Sequence, residues 1–205
     1  MPELEHFTHN HKLICDFTTG AVRHRFKFGG GRGQALPKAV GMKAGKNTNV
    51  VDATAGLGGD AFLLASLGAH VTMIERSKQM HDLLQAGIEQ AKNHSADMAE
   101  IINRMTLIFG DAKDILTELS PEVIVIDPMH PPRNKSALVK QEMRLIRDIV
   151  GNDDDKDELL DIALKIAKNR VVLKWPRQAP DISKGHQPSH QIIGKSTRFD
   201  VFMRN

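Results

Sequence analysis

Cysteine is almost absent from this chain: Cys15 is the only one among 205 residues. A single thiol excludes an internal disulfide and any zinc site built from several thiolates. The 10 histidines do not fall into groups with the spacing and partners of zinc ligands, so we expect no metal. One cysteine in a chain of this length is typical of a reducing compartment, and we expect a cytoplasmic location.

Long apolar segments are also lacking. No run approaches the roughly 18 residues of a membrane span, and the first residues lack the basic-then-apolar pattern of a signal peptide. Hydrophobic residues make up 40% and charged residues 26% of the sequence, which allows a buried core and excludes global disorder. We therefore expect a globular protein with no membrane partner.

Acidic residues are missing from one long segment. No Asp or Glu lies between Phe17 and Val51, whereas seven lysines and arginines do. The net charge of the whole chain is only +3, so this segregation predicts one positive face on a nearly neutral protein. We divide the chain into a short basic N-terminal segment, residues 1–46, and a main domain, residues 47–205.

The main domain alternates short β-rich runs with helical periodicity. Strands are predicted over residues 50–53, 70–75, 105–109, 123–127 and 170–174, with helices between them that include 136–150 and one that starts in the acidic run 153–158. The tail, residues 191–203, predicts a β-hairpin. This order is typical of the α/β class, with a doubly wound, Rossmann-like parallel sheet and a C-terminal antiparallel hairpin. Ligands of such sheets bind beyond the carboxyl ends of the strands.

The first strand ends in a glycine turn. Asp52 closes the strand, Gly56, Gly58 and Gly59 form the turn, and a helix is predicted to open at Asp60. Glycines let the backbone approach a ligand closely, and the helix N-terminus offers N–H donors. The acid and the two glycines four and six residues later are similar to the first motif of S-adenosylmethionine-dependent methyltransferases. The same turn also satisfies the loose dinucleotide fingerprint.

The next two strand ends also carry candidate cofactor residues. Glu75 ends the second strand, where one carboxylate can accept hydrogen bonds from both hydroxyls of a ribose. Both nicotinamide and methionine-type cofactors contain that ribose, so Glu75 leaves the two open. Asp111 and Ala112 follow the third strand and resemble the methyltransferase turn that brackets the adenine.

The fourth strand ends in Asp127, Pro128, Met129 and His130. Amino-methyltransferases carry an Asp/Asn-Pro-Pro-aromatic motif at this location. The lone pair of an exocyclic amine is delocalised into its base, so the amine reacts only when it is well positioned. A carboxylate and a rigid carbonyl can accept its N–H bonds and hold its nitrogen in line with a methyl donor. We expect Asp127, Pro128 and His130 to be catalytic, with His130 in the position of the stacking aromatic.

Several strings together resemble the RsmJ-type small-subunit ribosomal RNA guanine methyltransferases. They cover residues 27–33, 52–58, 127–129, 135–140 and 198–200. The resemblance spans about residues 13–203 and implies an enzyme that uses S-adenosyl-L-methionine to methylate the exocyclic amine of a guanosine in small-subunit ribosomal RNA. Its partner would be that RNA or the small ribosomal subunit. By position, it implies cofactor contacts at Gly59, Asp60, Glu75, Arg76, Asp111, Ala112 and Asp127.

The basic segment then has a predicted partner: we expect Arg23, Arg25, Lys27 and Arg32 to contact RNA phosphates. Two alternatives stay open. One is a nicotinamide-dependent oxidoreductase that uses the same glycine turn, although no proton-donor motif is recognisable. The other is an RNA-binding protein that has kept the fold without turnover.

Overall fold

A computed structural model describes residues 13–129, 155–180 and 185–204. Its centre is a seven-stranded sheet with the order β3-β2-β1-β4-β5-β7-β6. The strands are β1 (Asn49–Asp52), β2 (His70–Glu75), β3 (Met105–Phe109), β4 (Val123–Ile126), β5 (Arg170–Pro176), β6 (His190–Ile193) and β7 (Thr197–Met203). The first five strands are parallel, and β7 runs antiparallel to both of its neighbours. The predicted α/β class, parallel sheet and C-terminal hairpin are confirmed.

Helices connect these strands. The α-helices are α1 (Gly20–Phe28), α2 (Ala35–Val40), α3 (Gly59–Ser66), α4 (Lys78–Lys92), α5 (Ala96–Ile102), α6 (Ala112–Ile115) and α7 (Lys156–Ile166). Short 3-10 turns occupy Gly31–Gly33 and Leu116–Glu118. The helix predicted over residues 136–150 lies outside the described residues. Within the described ranges, no helix has the length and apolar character needed to cross a membrane.

Alternating side chains of the central strands bury apolar surface on both faces of the sheet. In β4, Val123 and Val125 belong to one core cluster, whereas Ile124 and Ile126 belong to the other. Helices α2 to α5 supply the first cluster, and α6 and α7 supply the second. This two-sided burial explains why the strands read as continuous apolar runs in the sequence.

The N-terminal segment contains helices that its sequence did not suggest. Helix α1 packs Phe26 against Phe62 of α3, with ring centroids 5.9 Å apart, and Phe17 stacks on the same ring at 5.0 Å. Leu36 and Val40 of α2 are fully buried in the same core cluster. Residues 13–46 therefore pack on the first face of the sheet through these apolar side chains, and most of the basic side chains of the segment lie outside the core.

Candidate functional site

A cavity of about 760 Å³ opens at the carboxyl ends of the parallel strands. This size is within the range of about 300–1,000 Å³ usual for small-molecule sites. The structure brings most sequence-predicted cofactor and catalytic residues to its wall: Asp52, Gly56, Gly59, Asp60, Glu75, Arg76, Asp111, Ala112, Asp127 and Pro128. Gly58 is not at the wall. It is the N-cap of α3, and a Cβ atom there would lie 2.8 Å from Leu84.

The glycine turn is held by the carboxylate at the end of β2. Glu75 is 5% exposed and accepts hydrogen bonds from the backbone N–H of Gly56 at 2.9 Å and of Ser77 at 2.8 Å. Gly56 and Gly58 have φ values of 53° and 69°, which favour glycine over any residue with a side chain. A single buried carboxylate thus joins the ends of β1 and β2 across the cavity floor.

Thr54 links the ends of β1 and β4. Its hydroxyl accepts a hydrogen bond from the backbone N–H of Asp127 at 2.7 Å, and its own N–H donates to Asp52 at 3.1 Å. Asp52 is 4% exposed, while the side chain of Asp127 is 39% exposed and lies at the cavity wall. Thr54, just after the end of β1, therefore holds the backbone of Asp127 in place.

Lys174, the fifth residue of β5, carries a positive charge into this group of acids. Its Nζ atom lies 2.6 Å from Oδ2 of Asp127 and 2.7 Å from Oδ2 of Asp60. The other carboxylate oxygen of Asp60 pairs with the guanidinium of Arg25 on α1. Arg25 also donates from Nε to the side chain of Gln34 at 3.0 Å. Two cations and two carboxylates form a continuous network across the cavity.

This network and the burial around it shift the pKa values of the acids in opposite directions. Burial, with the nearby Asp60 charge, raises the pKa of Asp52 to about 7. Burial acts in the same sense on Asp60, but Lys174 and Arg25 hold its pKa below the ordinary value. Burial disfavours the charge of Lys174, but Asp127 and Asp60 raise its pKa. Asp60 and Lys174 are therefore charged at neutral pH, whereas Asp52 is near its midpoint.

A second group of charges lies on the side of the cavity formed by β2, β3 and α7. Asp155, the N-cap of α7, pairs with Arg76 and with Lys113, each at 2.9 Å. Lys113 also contacts Glu158 at 2.9 Å. Asp111 caps α6 by accepting from the N–H of Lys113 at 2.9 Å. The acidic run at the start of α7 thus neutralises two cations beside the predicted adenine position.

The four predicted RNA-binding residues differ in their exposure and in their contacts within the protein. Arg25 lines the cavity, as its pairing with Asp60 requires. Arg23 lies 5.4 Å from the centre of the Phe26 ring. Lys27 and Arg32 are exposed, and Arg32 donates to the carbonyl of Leu67 at 2.7 Å. His130, the predicted stacking residue, lies outside the described residues.

Lys174 and Trp175 line the site but were not predicted from the sequence. Arg25 also lines it, although the sequence indicated only an RNA contact for this residue. One signal was available: Lys174 ends the predicted fifth strand, and side chains at parallel strand ends converge. The pairing of Arg25 with Asp60 joins residues 35 positions apart and has no local signature.

The strand order, the reversed seventh strand and the ring of acids around a cavity at the strand ends define an S-adenosylmethionine-dependent methyltransferase of the Rossmann-like class. Comparison with known proteins supports this class. The family model of SAM-dependent methyltransferases matches residues 3–204. A crystal structure of a SAM-dependent methyltransferase from Neisseria gonorrhoeae has 35% sequence identity and a TM-score of 0.72, covering 94% of this chain and 75% of that one.

Relatives narrow the class to one family. The chain is 59% identical to ribosomal RNA small subunit methyltransferase J of Agrobacterium fabrum over 95% of its own length and 93% of that protein. It is 56% identical to the protein of the same name from Brucella anthropi, with 94% of each chain covered. The relative from Chromohalobacter salexigens is 49% identical, over 93% of this chain and 76% of that protein. The chain belongs to the ribosomal RNA small subunit methyltransferase J family.

Proposed function

We propose that this protein transfers a methyl group from S-adenosyl-L-methionine to the exocyclic amine, N2, of a guanosine in small-subunit ribosomal RNA. The relatives' names support the RNA substrate. The observation that carries the proposal is the Asp127 carboxylate, which follows β4 at the cavity wall and is fixed by Thr54 and Lys174. A ribosomal RNA substrate also favours the predicted cytoplasmic location.

The residues of the cavity fit this cofactor. It joins a nucleoside to a methionine group, and a cavity of about 760 Å³ is large enough for both. The glycine turn at Gly56 brings backbone close to the cavity without a Cβ atom, and Glu75 is a buried carboxylate beside it. Carboxylate oxygens accept more than one hydrogen bond, so the backbone bonds to Glu75 are compatible with a ribose contact. The aspartates complement a cationic sulfonium.

We assign the cofactor contacts by these features. Glu75 would accept from the ribose, Arg76, Asp111 and Ala112 would border the adenine, and Asp52 and Asp60 would face the methionine group. The turn residues Gly56, Gly58 and Gly59 would allow the close approach, Gly58 through its place at the N-cap of α3. When bound, S-adenosylmethionine supplies an electrophilic methyl group on its sulfonium.

The role of this chain in the reaction is positioning. Asp127, with the backbone carbonyl of Pro128, would accept the N–H bonds of the target amine and orient its nitrogen, and Asp127 would favour loss of the proton that the methylated nitrogen must release. Lys174 stabilises the ionised form of Asp127, which is the form able to accept both. His130 remains our candidate for stacking on the base.

The N-terminal segment, residues 1–46, is proposed to contact the RNA around the target. No acid lies between Phe17 and Val51, and Lys27 and Arg32 are exposed there. Arg23 and Arg25 are only partly exposed, whereas Lys27 and Arg32 are exposed, so we expect the phosphate contacts to come mainly from Lys27 and Arg32. Such contacts position the RNA and do not select its sequence.

The test is methyl transfer from labelled S-adenosylmethionine to small ribosomal subunits that lack the modification, followed by nucleoside mass spectrometry. The wild-type protein should produce N2-methylguanosine. Asp127→Ala should lower the rate by about 10²–10⁴-fold because it removes the acceptor for the amine. Its affinity for S-adenosylhomocysteine, measured by calorimetry, should change only a few-fold.

The matched control is Asp161→Ala, which removes an exposed aspartate on α7 that pairs with His186. It should transfer methyl groups at the wild-type rate. Near-normal turnover of Asp127→Ala would exclude the proposed role of that carboxylate, and a methylated product other than N2-methylguanosine would exclude the proposed target atom.

A further inference from the structure

The end of helix α1 carries an aromatic side chain that the protein core does not use. Phe28 is 72% exposed, more than any other large apolar residue in the described part of the chain. The ring of His24, one turn earlier, lies 5.1 Å from it at an interplanar angle of 46°. Phe26, between them in sequence, instead packs on Phe62 in the core. The helix therefore has one buried aromatic anchor and one exposed pair of flat rings.

This exposed pair lies on the same helix as a residue of the cavity wall. Arg25 is one turn before Phe28 on the same helix, and residues three apart are neighbours on a helix surface. Arg25 lines the cavity and pairs with Asp60 at the start of α3. The face that carries Arg25 and Phe28 thus continues from the cavity wall to the exposed surface.

The charged residues near the pair in the sequence are all basic. Both rings lie in the segment between Phe17 and Val51 that contains no acidic residue, and the exposed Lys27 and Arg32 lie one and four residues after Phe26 and Phe28 respectively. An exposed aromatic ring in cationic surroundings matches the chemistry of single-stranded nucleic acid, whose bases stack on aromatics while its phosphates pair with Lys and Arg.

We propose that Phe28, supported by His24, stacks an unpaired base of the RNA next to the nucleotide that enters the cavity. This inference rests on the proposed function and adds a contact to a base, whereas Lys27 and Arg32 would contact phosphates. Stacking of the neighbouring base would help to hold the strand open while the target base occupies the cavity.

The test compares Phe28→Leu with Phe28→Trp in the full-length protein, using fluorescence anisotropy of short labelled oligoadenylate and oligouridylate. Leucine keeps the apolar surface but removes the π face, so affinity for oligoadenylate should fall about 5- to 100-fold. Tryptophan should restore it. Adenine stacks better than uracil, so the wild-type protein should bind oligoadenylate more tightly than oligouridylate. This preference should disappear in Phe28→Leu.

Salt dependence separates stacking from phosphate contact. Stacking releases no counterions, so Phe28→Leu should leave the slope of log affinity against log salt unchanged, whereas Arg32→Gln should reduce it by roughly one. Met203→Ala serves as the control, because Met203 is an exposed apolar residue paired with Arg170 at the opposite, amino end of β5. It should bind both RNAs like the wild type.

Two further measurements keep this inference apart from the proposed function. Wild-type protein that fails to methylate unmodified small subunits would contradict the function itself. Normal wild-type transfer together with unchanged RNA affinity and KM in Phe28→Leu would overturn only the stacking contact. A lower melting temperature of Phe28→Leu with unchanged RNA affinity would show that the ring serves an internal contact, and would overturn the inference as well.

Discussion

Lys174 is one of the cations at a cavity wall that also carries Asp52, Asp60 and Asp127. Its Nζ atom is within 2.7 Å of two of these carboxylates. Asp60 also pairs with Arg25, so it would keep one cation if Lys174 were removed, whereas Asp127 would lose the cation 2.6 Å from its Oδ2 atom. Lys174 therefore favours the ionised form of Asp127, which is the form able to accept the N–H bonds of the target amine.

Substitution of Lys174 tests this dependence. In Lys174→Met, loss of the nearby positive charge should disfavour the ionised form of Asp127, so the acidic limb of the pH profile of methyl transfer should move to higher pH and kcat at neutral pH should fall about 10- to 100-fold. Lys174→Arg should recover much of the rate because it keeps the charge. Methyl-transfer rates between pH 5 and 9 measure both effects.

The control for this substitution is Lys165→Met, which removes an exposed lysine of α7. Its pH profile should coincide with that of the wild type. A Lys174→Met enzyme with reduced kcat but an unshifted acidic limb would contradict the electrostatic role and leave only a structural one.

The positions of residues at the site could be predicted from the sequence when a strand end carried them. Asp52, Glu75 and Asp127 each close or follow a strand, and parallel strand ends converge. The network of Arg25, Asp60 and Lys174 could not be predicted, because its members are brought together only by the packing of α1 and β5 around α3. Pairing across 114 residues, as for Lys174 and Asp60, has no local sequence signal.

At the scale of elements, the hairpin of β6 and β7 supports the loop that follows β5. Arg198 is 8% exposed and donates from Nη1 to the carbonyls of Pro176, Arg177 and Ala179. Its Nε atom bonds Asp200, which is 2% exposed, at 3.0 Å. A buried guanidinium thus fixes the backbone beside Trp175 and Pro176, two residues of the cavity wall.

Arg198→Met should be strongly destabilising, because it leaves Asp200 buried without its cation and removes three hydrogen bonds to backbone carbonyls. We expect a loss of about 3–5 kcal/mol in the free energy of unfolding. Urea denaturation followed by the emission of Trp175, the only tryptophan, measures this loss. Arg177→Met, at an exposed neighbouring position, should change the free energy by no more than about 0.5 kcal/mol. A loss below about 1 kcal/mol for Arg198→Met would contradict the role of the buried pair.

The elements themselves were predictable to different degrees. Buried strands such as β4 have strong apolar patterns, and the predicted bounds of β4, residues 123–127, agree closely with the observed Val123–Ile126. Helices α1, α2 and α5, of nine, six and seven residues, were not predicted, whereas α3, of eight residues, was predicted because a glycine turn precedes it. In α1, Val22 and Phe26 pack against the core, and Arg23, Arg25 and Lys27 occupy three of the remaining positions. Tertiary packing on α3, more than local propensity, makes this segment helical.

At the scale of the whole molecule, the buried acid at the end of β1 links stability to pH. Burial and the charges of Asp60 and Asp127 raise the pKa of Asp52, while Lys174 and the N–H of Thr54 oppose the rise. The net value of about 7 lies well above the 3.8 of a free aspartate. Between these two values the folded protein holds a proton that the unfolded chain has released, so stability should fall as pH rises through that window.

The decline should amount to a few kcal/mol between about pH 4 and 7 and should level off above the folded pKa, since one pKa unit corresponds to about 1.4 kcal/mol. Asp60 and Asp155 have lowered pKa values, so their stabilisation is lost only in more acidic solution and does not mask this slope. Asp52→Asn mimics the protonated acid and should flatten the curve, with a gain in stability at pH 8. Urea denaturation of both proteins without cofactor at pH 5, 6, 7 and 8 measures the slopes. Parallel curves would mean that Asp52 is ionised throughout and that another group governs stability in this range.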